Sequence, residues 1–250
     1  INKIDWENIY KYSGKFSPKE NTIKSFQIFL DLGDLYIEEQ NFKKSVDIYE
    51  LGLKNLENWK KNNEINLYYI VYKRKFVVSY ATPKTFLLVT EYNANLNNKK
   101  KADKAFQKLK SISDELKNIE KSFYLLNSDI QLQIRKRYPK HLIYVYQSLQ
   151  TSNQFLQDKK ESYVWAKKLY EETKSLPKNR DNISDMFEAH YTMIIASLGV
   201  NRLQVANYHI NEFKNYSLRL VENVNGVKDV ASFSSFMLPF MLHAGLYYEA

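Results

Sequence analysis

The stretch Asp31–Leu56, "DLGDLYIEEQNFKKSVDIYELGLKNL", decides the fold. Apolar residues recur three and four apart on both sides of Asn41: Phe26, Phe29, Leu30, Leu32, Leu35 and Tyr36 before it, Phe42, Val46, Tyr49, Leu53 and Leu56 after it. That spacing lays an apolar stripe along one side of an α-helix. Asn41 is a cap or turn residue between two helices, predicted at 22–39 and 42–61. Small residues interrupt the stripes at Gly33, Ser45 and Gly52, and large ones flank them. Two helices that cross closely need that combination, because only a small side chain leaves room for the opposing ring.

Working outward, the same periodicity predicts helices at about 64–81, 83–97, 101–118, 120–137, 140–157, 160–176, 182–199, 202–222 and 228–249. Pro83 is placed at a helix start, where its missing N–H costs nothing, and Thr82 before it as a boundary. Pro139, Pro177, Gly199–Asn201 and Gly226 mark further boundaries. No segment reads as a strand. The 250 residues hold only 6 Gly and 5 Pro, too few for the many turns of an all-β chain of this size. No composition shift marks a linker, so 1–250 reads as one continuous helical domain. It opens on "INKIDWENIY" without an initiator Met and is expected to be part of a longer protein.

Composition excludes several chemistries. Cysteine is absent, which removes disulfides, thiolate metal sites and cysteine nucleophiles together. The four histidines, His141, His190, His209 and His243, form none of the usual metal-binding spacings; His209 and Glu212 share a helix face and nothing more. No phosphate-cradling glycine loop and no G-x-S-x-G occurs. We therefore expect no enzyme, no metal and no cofactor. Net charge is +9, yet the acidic and basic residues are interspersed, so a helical nucleic-acid-binding protein stands as an alternative and nucleic acid is not the expected partner. The basic run Arg135–His141, "RKRYPKH", suits the negative end of a helix. No apolar run is long enough to span a bilayer. The compartment stays open between cytoplasm and an extracytoplasmic sensor.

Phe29-x-x-Leu32-Gly33-x-x-Tyr36, followed by Ser45-x-x-x-Tyr49 and Gly52, resembles the tetratricopeptide repeat over residues 26–59. Looser units follow, with small anchors at Ala102, Ala166 and Ala206 and inward residues such as Tyr163, Tyr170, Leu203 and Ile210. The first helix of the unit anchored by Ala166 would point Leu149, Ser152, Asn153 and Leu156 inward. The anchors lie 57, 64 and 40 residues apart (45 to 102, 102 to 166, 166 to 206), not at multiples of about 34. The resemblance implies an all-α fold in which antiparallel helix pairs stack as a tetratricopeptide-like superhelix of irregular spacing. It further implies a recognition domain whose first helices line a groove for a peptide or protein segment. Two settings fit that implication: the sensor or scaffold part of a bacterial signalling or regulatory protein, and the peptide-pheromone receptor domain of a transcription regulator.

In this picture Gln27, Leu30, Asp34, Ile37 and Glu38 face the groove. Leu30 and Asp34 stand where the family's carboxylate-clamping members carry Lys and Asn, so a chaperone C-terminus is not the expected ligand. Gln147, Gln150, Gln154 and Gln157 recur at i, i+3, i+7 and i+10, hence on one helix face. That line is either the wet side of an amphipathic helix or a set of amides facing a peptide backbone. Ala189, Thr192 and Ala196 form a small-residue face that admits a ligand or another helix. The tail Phe233–Ala250, "FSSFMLPFMLHAGLYYEA", resembles the first helix of another repeat, and its apolar residues 233–248 suggest self-association or a docked partner.

Overall fold

The computed structural model describes residues 22–61, 67–177 and 180–222. Among these residues there are nine helices and no strand, so the protein is all-α. They are α1 (Thr22–Glu38), α2 (Phe42–Lys61), α3 (Leu67–Ala94), α4 (Lys99–Tyr124), α5 (Ser128–Arg137), α6 (His141–Phe155), α7 (Lys159–Lys174), α8 (Arg180–Gly199) and α9 (Leu203–Glu222). Consecutive helices pack on one another from α1 to α4 and from α7 to α9, within two compact units, Ile1–Ser148 and Leu149–Ala250; the division falls inside α6. The tail 233–248 lies outside the described residues.

In the first unit, α1 packs on α2, α2 on α3, α3 on α4, and α1 also meets α3. The core holds Phe26, Phe29, Leu30, Leu32, Ile48, Tyr49, Leu56, Tyr69, Tyr72 and Phe76. Two glycines set how closely these helices approach. A Cβ at Gly33 would lie 2.2 Å from the Tyr49 ring, and one at Gly52 would lie 2.3 Å from the Phe76 ring. Ser45 is fully buried beside them. Phe42 stacks on Phe86 of α3, with ring centroids 5.2 Å apart. The small and large residues of the opening stretch thus meet at the crossings that their pattern predicts.

Two antiparallel clamps join α2 to α3. Glu57 accepts hydrogen bonds from the Tyr69 hydroxyl (2.8 Å) and Lys73 Nζ (3.0 Å). Glu50 does the same with Tyr80 (3.2 Å) and Lys84 (3.0 Å). In each clamp the lysine follows the tyrosine by one helical turn, so both side chains reach the same carboxylate.

α3 departs from the sequence expectation. Two helices separated at Pro83 were predicted, and one continuous helix passes through it. An internal proline removes a backbone hydrogen bond and costs about 3 kcal/mol. Here Pro83 is buried in a helix that packs against α1, α2, α4 and α5. Packing on several sides outweighs the local cost, and it also explains why α3 is apolar nearly all round. The break expected near residue 119 falls instead at 125–127, where Asn127 Oδ1 accepts from the Ile130 amide at 2.9 Å and starts α5.

In the second unit, α7 packs on α8 and α8 on α9. The small anchors Ala166 (fully buried) and Ala206 (1% exposed) sit in its interior. Leu149, Ser152 and Asn153 are buried as expected, whereas Leu203, expected inward, is 57% exposed at the start of α9.

Three of the helix connections share one construction. After α1, α6 and α8, the residues Gln40, Gln157 and Asn201 adopt φ of 57°, 58° and 59°. In each, the next amide reaches back five residues: Asn41 to the Tyr36 carbonyl (2.7 Å), Asp158 to Asn153 (3.0 Å) and Arg202 to Ser197 (2.8 Å). This is the Schellman ending of a helix, built without glycine. Asn41 and Asp158 then cap the following helix by accepting from the Lys44 (3.3 Å) and Glu161 (3.0 Å) amides.

Candidate functional site

The predicted site residues of the first unit lie on the outer row of α1. Gln27, Asp31, Asp34 and Glu38 recur at i, i+4, i+7 and i+11, and the last three are exposed. Leu30, also expected to face a groove, is buried in the core, and half-buried Ile37 packs against that core. The true outer row is therefore rotated from the expected one and is entirely polar.

α3 carries a matching row, Tyr68, Tyr72, Lys75 and Ser79, with the same spacing. Because α1 and α3 pack together, the two rows come together around Lys75. Its ammonium lies over the Tyr72 ring at 5.5 Å and over the Tyr138 ring at 5.4 Å. It makes one long contact, 3.5 Å, to Gln27 Oε1, while Gln27 Nε2 donates to Asp31 Oδ1 at 2.7 Å. Burial lowers the Lys75 pKa, and the nearby Asp31 and Asp34 carboxylates oppose that shift. Among the described residues no carboxylate lies within ion-pair distance of Lys75.

Asp34 ties this face to the core beneath it. It accepts a hydrogen bond from the buried Tyr49 hydroxyl. Burial raises the Asp34 pKa, Asp31 and Glu38 raise it further, and the Tyr49 bond and Lys75 work against them. Burial and the Asp34 carboxylate together push the Tyr49 phenol well above its ordinary range. Tyr68, at one end of the α3 row, is covered by the Arg137 guanidinium 4.7 Å from its ring centroid.

The sequence singles out Tyr68, Tyr69 and Tyr72 as the aromatics least bound to core packing, but Lys75, Ser79 and Tyr138 escape it. Lys75 and Ser79 are visible in principle, since 68, 72, 75 and 79 repeat the α1 spacing 27, 31, 34 and 38. What hides them is the apolar surround of α3, which makes any face of that helix read as core. Tyr138 closes α5 and reaches Lys75 only through the tertiary fold.

The glutamine line is divided by the structure. Gln147 is half-buried and Gln154 exposed. Gln150 is 6% exposed, and its amide nitrogen donates to Ser162 Oγ (3.3 Å) and Gln154 Oε1 (3.2 Å). Gln157 leaves the line altogether, because α6 ends at Phe155 and Gln157 takes the left-handed position of the turn. The i+10 relation assumed a helix two residues longer. Thr192 is 7% exposed, between buried Ala189 and Ala196, so this small-residue face is a packed one.

Two further polar clusters are internal. In the first unit, buried Arg74 donates to the Ile119 carbonyl (2.8 Å) and to Ser122 Oγ (2.8 Å), with His141 Nε2 at 3.4 Å. A guanidinium cannot accept, so Nε2 of His141 is the lone-pair nitrogen and Nδ1 carries the proton. Burial, with Arg74 and Arg135 nearby, pulls the His141 pKa to about 3, and burial lowers Arg74 to about 10. In the second unit, His190 and His209 meet Nδ1 to Nδ1 at 2.9 Å. The Tyr170 ring lies edge-on to both, at 5.1 and 4.7 Å. Burial lowers both histidines to about 4, helped for His190 by His209.

Among the described residues no helix is long and apolar enough to cross a membrane. No family model matches the chain, and no curated protein matches it.

Proposed function

We propose that the chain is a non-catalytic recognition domain that binds a peptide or protein segment on the α1–α3 face of its first unit. One observation carries the reading. Two packed helices carry rows of identical spacing, Gln27-Asp31-Asp34-Glu38 on α1 and Tyr68-Tyr72-Lys75-Ser79 on α3; Tyr72 is buried in the core, and the other residues of the rows are exposed or half-buried. Carboxylates, an amide, an ammonium and aromatic faces side by side suit the alternating donors and acceptors of a peptide. The setting, a sensor or scaffold part of a bacterial signalling or regulatory protein, rests on the tetratricopeptide-like pattern of residues 26–59.

Selection of a displayed random-peptide library on the immobilised chain tests the reading. Selected peptides are expected to lose affinity for Glu38→Arg and Tyr68→Ala, two exposed positions at opposite ends of the face, without change in thermal midpoint. Peptides that bind both variants as well as the parent chain would overturn it.

A further inference from the structure

The surroundings of Lys75 amount to a receptor for an ammonium group that the protein fills with its own side chain. Tyrosine rings stand 5.5 and 5.4 Å from its Nζ, the range in which the negative face of a ring attracts a cation. Asp31 and Asp34 add negative potential from α1, and Gln27 presents a carbonyl oxygen at 3.5 Å. Held this way, without a direct carboxylate partner, the ammonium gains from aromatic faces and diffuse charge rather than from an ion pair. The lysine stem is flexible, so its head can leave without movement of the backbone. Lys75 is half-buried, and the two carboxylates that act on it, Asp31 and Asp34, are exposed, so a cation approaching from solvent meets them.

We infer that the α1–α3 face recognises a basic segment, one of whose Lys or Arg side chains enters between Tyr72 and Tyr138 and displaces Lys75. This specifies the ligand for the recognition reading above and rests on it. The net charge of +9 for the whole chain opposes basic ligands in general. A preference for one must therefore arise locally, from Asp31, Asp34, Glu38 and the two rings. Lys75 then acts as an internal competitor: it lowers the affinity for basic segments and admits only those whose other contacts offset the exchange.

The test measures anisotropy of three short fluorescein-labelled peptide pools, Lys/Arg-rich, Asp/Glu-rich and neutral, on the full chain. The Lys/Arg-rich pool is expected to bind best. Lys75→Met keeps the stem and removes the charge, and should tighten that binding by about 3- to 10-fold, the scale of a cation–π exchange. Asp31→Asn, an exposed and nearly isosteric change, should weaken it by a similar factor. Tyr138→Leu should weaken it as well, and is scored only if its thermal midpoint matches the parent chain. Unchanged or weaker binding to Lys75→Met would overturn the internal-competitor inference. Stronger binding of the acidic or neutral pool at this face would also overturn it while leaving peptide recognition standing. Failure of all three pools to bind would remove both.

Discussion

Gly33 lies directly under the ring of Tyr49, so close that even a methyl group at position 33 would occupy space the ring already fills, at 2.2 Å from its nearest carbon. Residue 33 belongs to α1 and residue 49 to α2, and this contact sets the approach of the pair. Tyr49 is fully buried and its hydroxyl is committed to Asp34, so the ring has no free direction in which to swing. Helix propensity alone favours Gly33→Ala by about 1 kcal/mol. The clash opposes it, at about 1–3 kcal/mol for overpacking a closed core. We expect a net lower urea midpoint for Gly33→Ala. A raised midpoint would mean that propensity decides, and that the α1–α2 crossing is looser than described.

The buried histidines predict acid sensitivity. His190 and His209 are held at about 4 and His141 at about 3, all below the ordinary 6.5. A base whose pKa is lower in the folded chain binds its proton more readily when unfolded, so acid favours unfolding. Stability should fall as pH drops below 6.5, continuing to about 4 for the pair and to about 3 for His141. Each histidine contributes up to about 1.4 kcal/mol per pH unit in that window. Denaturation midpoints measured across the window should show a shallower slope in the double variant His190→Phe, His209→Leu, with His141 and the shifted carboxylates still contributing. An identical slope in parent and variant would show that the pair does not sense protons.

The α2–α3 clamps should be measurable but weak. Burial works against ionisation of Glu57, yet the hydrogen bonds from Lys73 and Tyr69 hold its pKa below the ordinary value. Both charged ends of this clamp are about two-fifths exposed, 40% for Lys73 and 41% for Glu57, so solvent screens the pair. A double-mutant cycle on Glu57→Gln and Lys73→Met is expected to give a coupling of about 0.2–1 kcal/mol, shrinking in high salt. A coupling that does not depend on salt would assign the clamp to the Tyr69 hydroxyl instead.

On α6, the two middle glutamines should separate. Gln150 is buried and bonded to Ser162, so Gln150→Ala leaves a hydroxyl partner behind and should cost about 1–2 kcal/mol. Gln154 is exposed, and Gln154→Ala should change stability by less than about 0.5 kcal/mol. Equal effects of the two substitutions in chemical denaturation would contradict the burial that divides the glutamine line.

The helical class, the two helices of the opening stretch and the tight crossing between them were legible in residues 26–59. Apolar spacing reports which side of a helix is dry, and a glycine opposite a large ring reports close approach; both are local signals. The helix through Pro83 was not legible, because its proline is tolerated only where packing on several sides outweighs a lost hydrogen bond. Nor were the left-handed Gln40 and Gln157, whose backbone is held by amides reaching back five residues. The candidate site divides along the same line. Asp34 and Glu38 follow from the α1 pattern by itself, but their company comes from two distant segments, Tyr72 and Lys75 from α3 and Tyr138 from the end of α5. Periodicity orients each helix about its own axis and is silent on which helix lies beside it. Only the tertiary fold brings Tyr138 and two carboxylates of α1 to a lysine of α3.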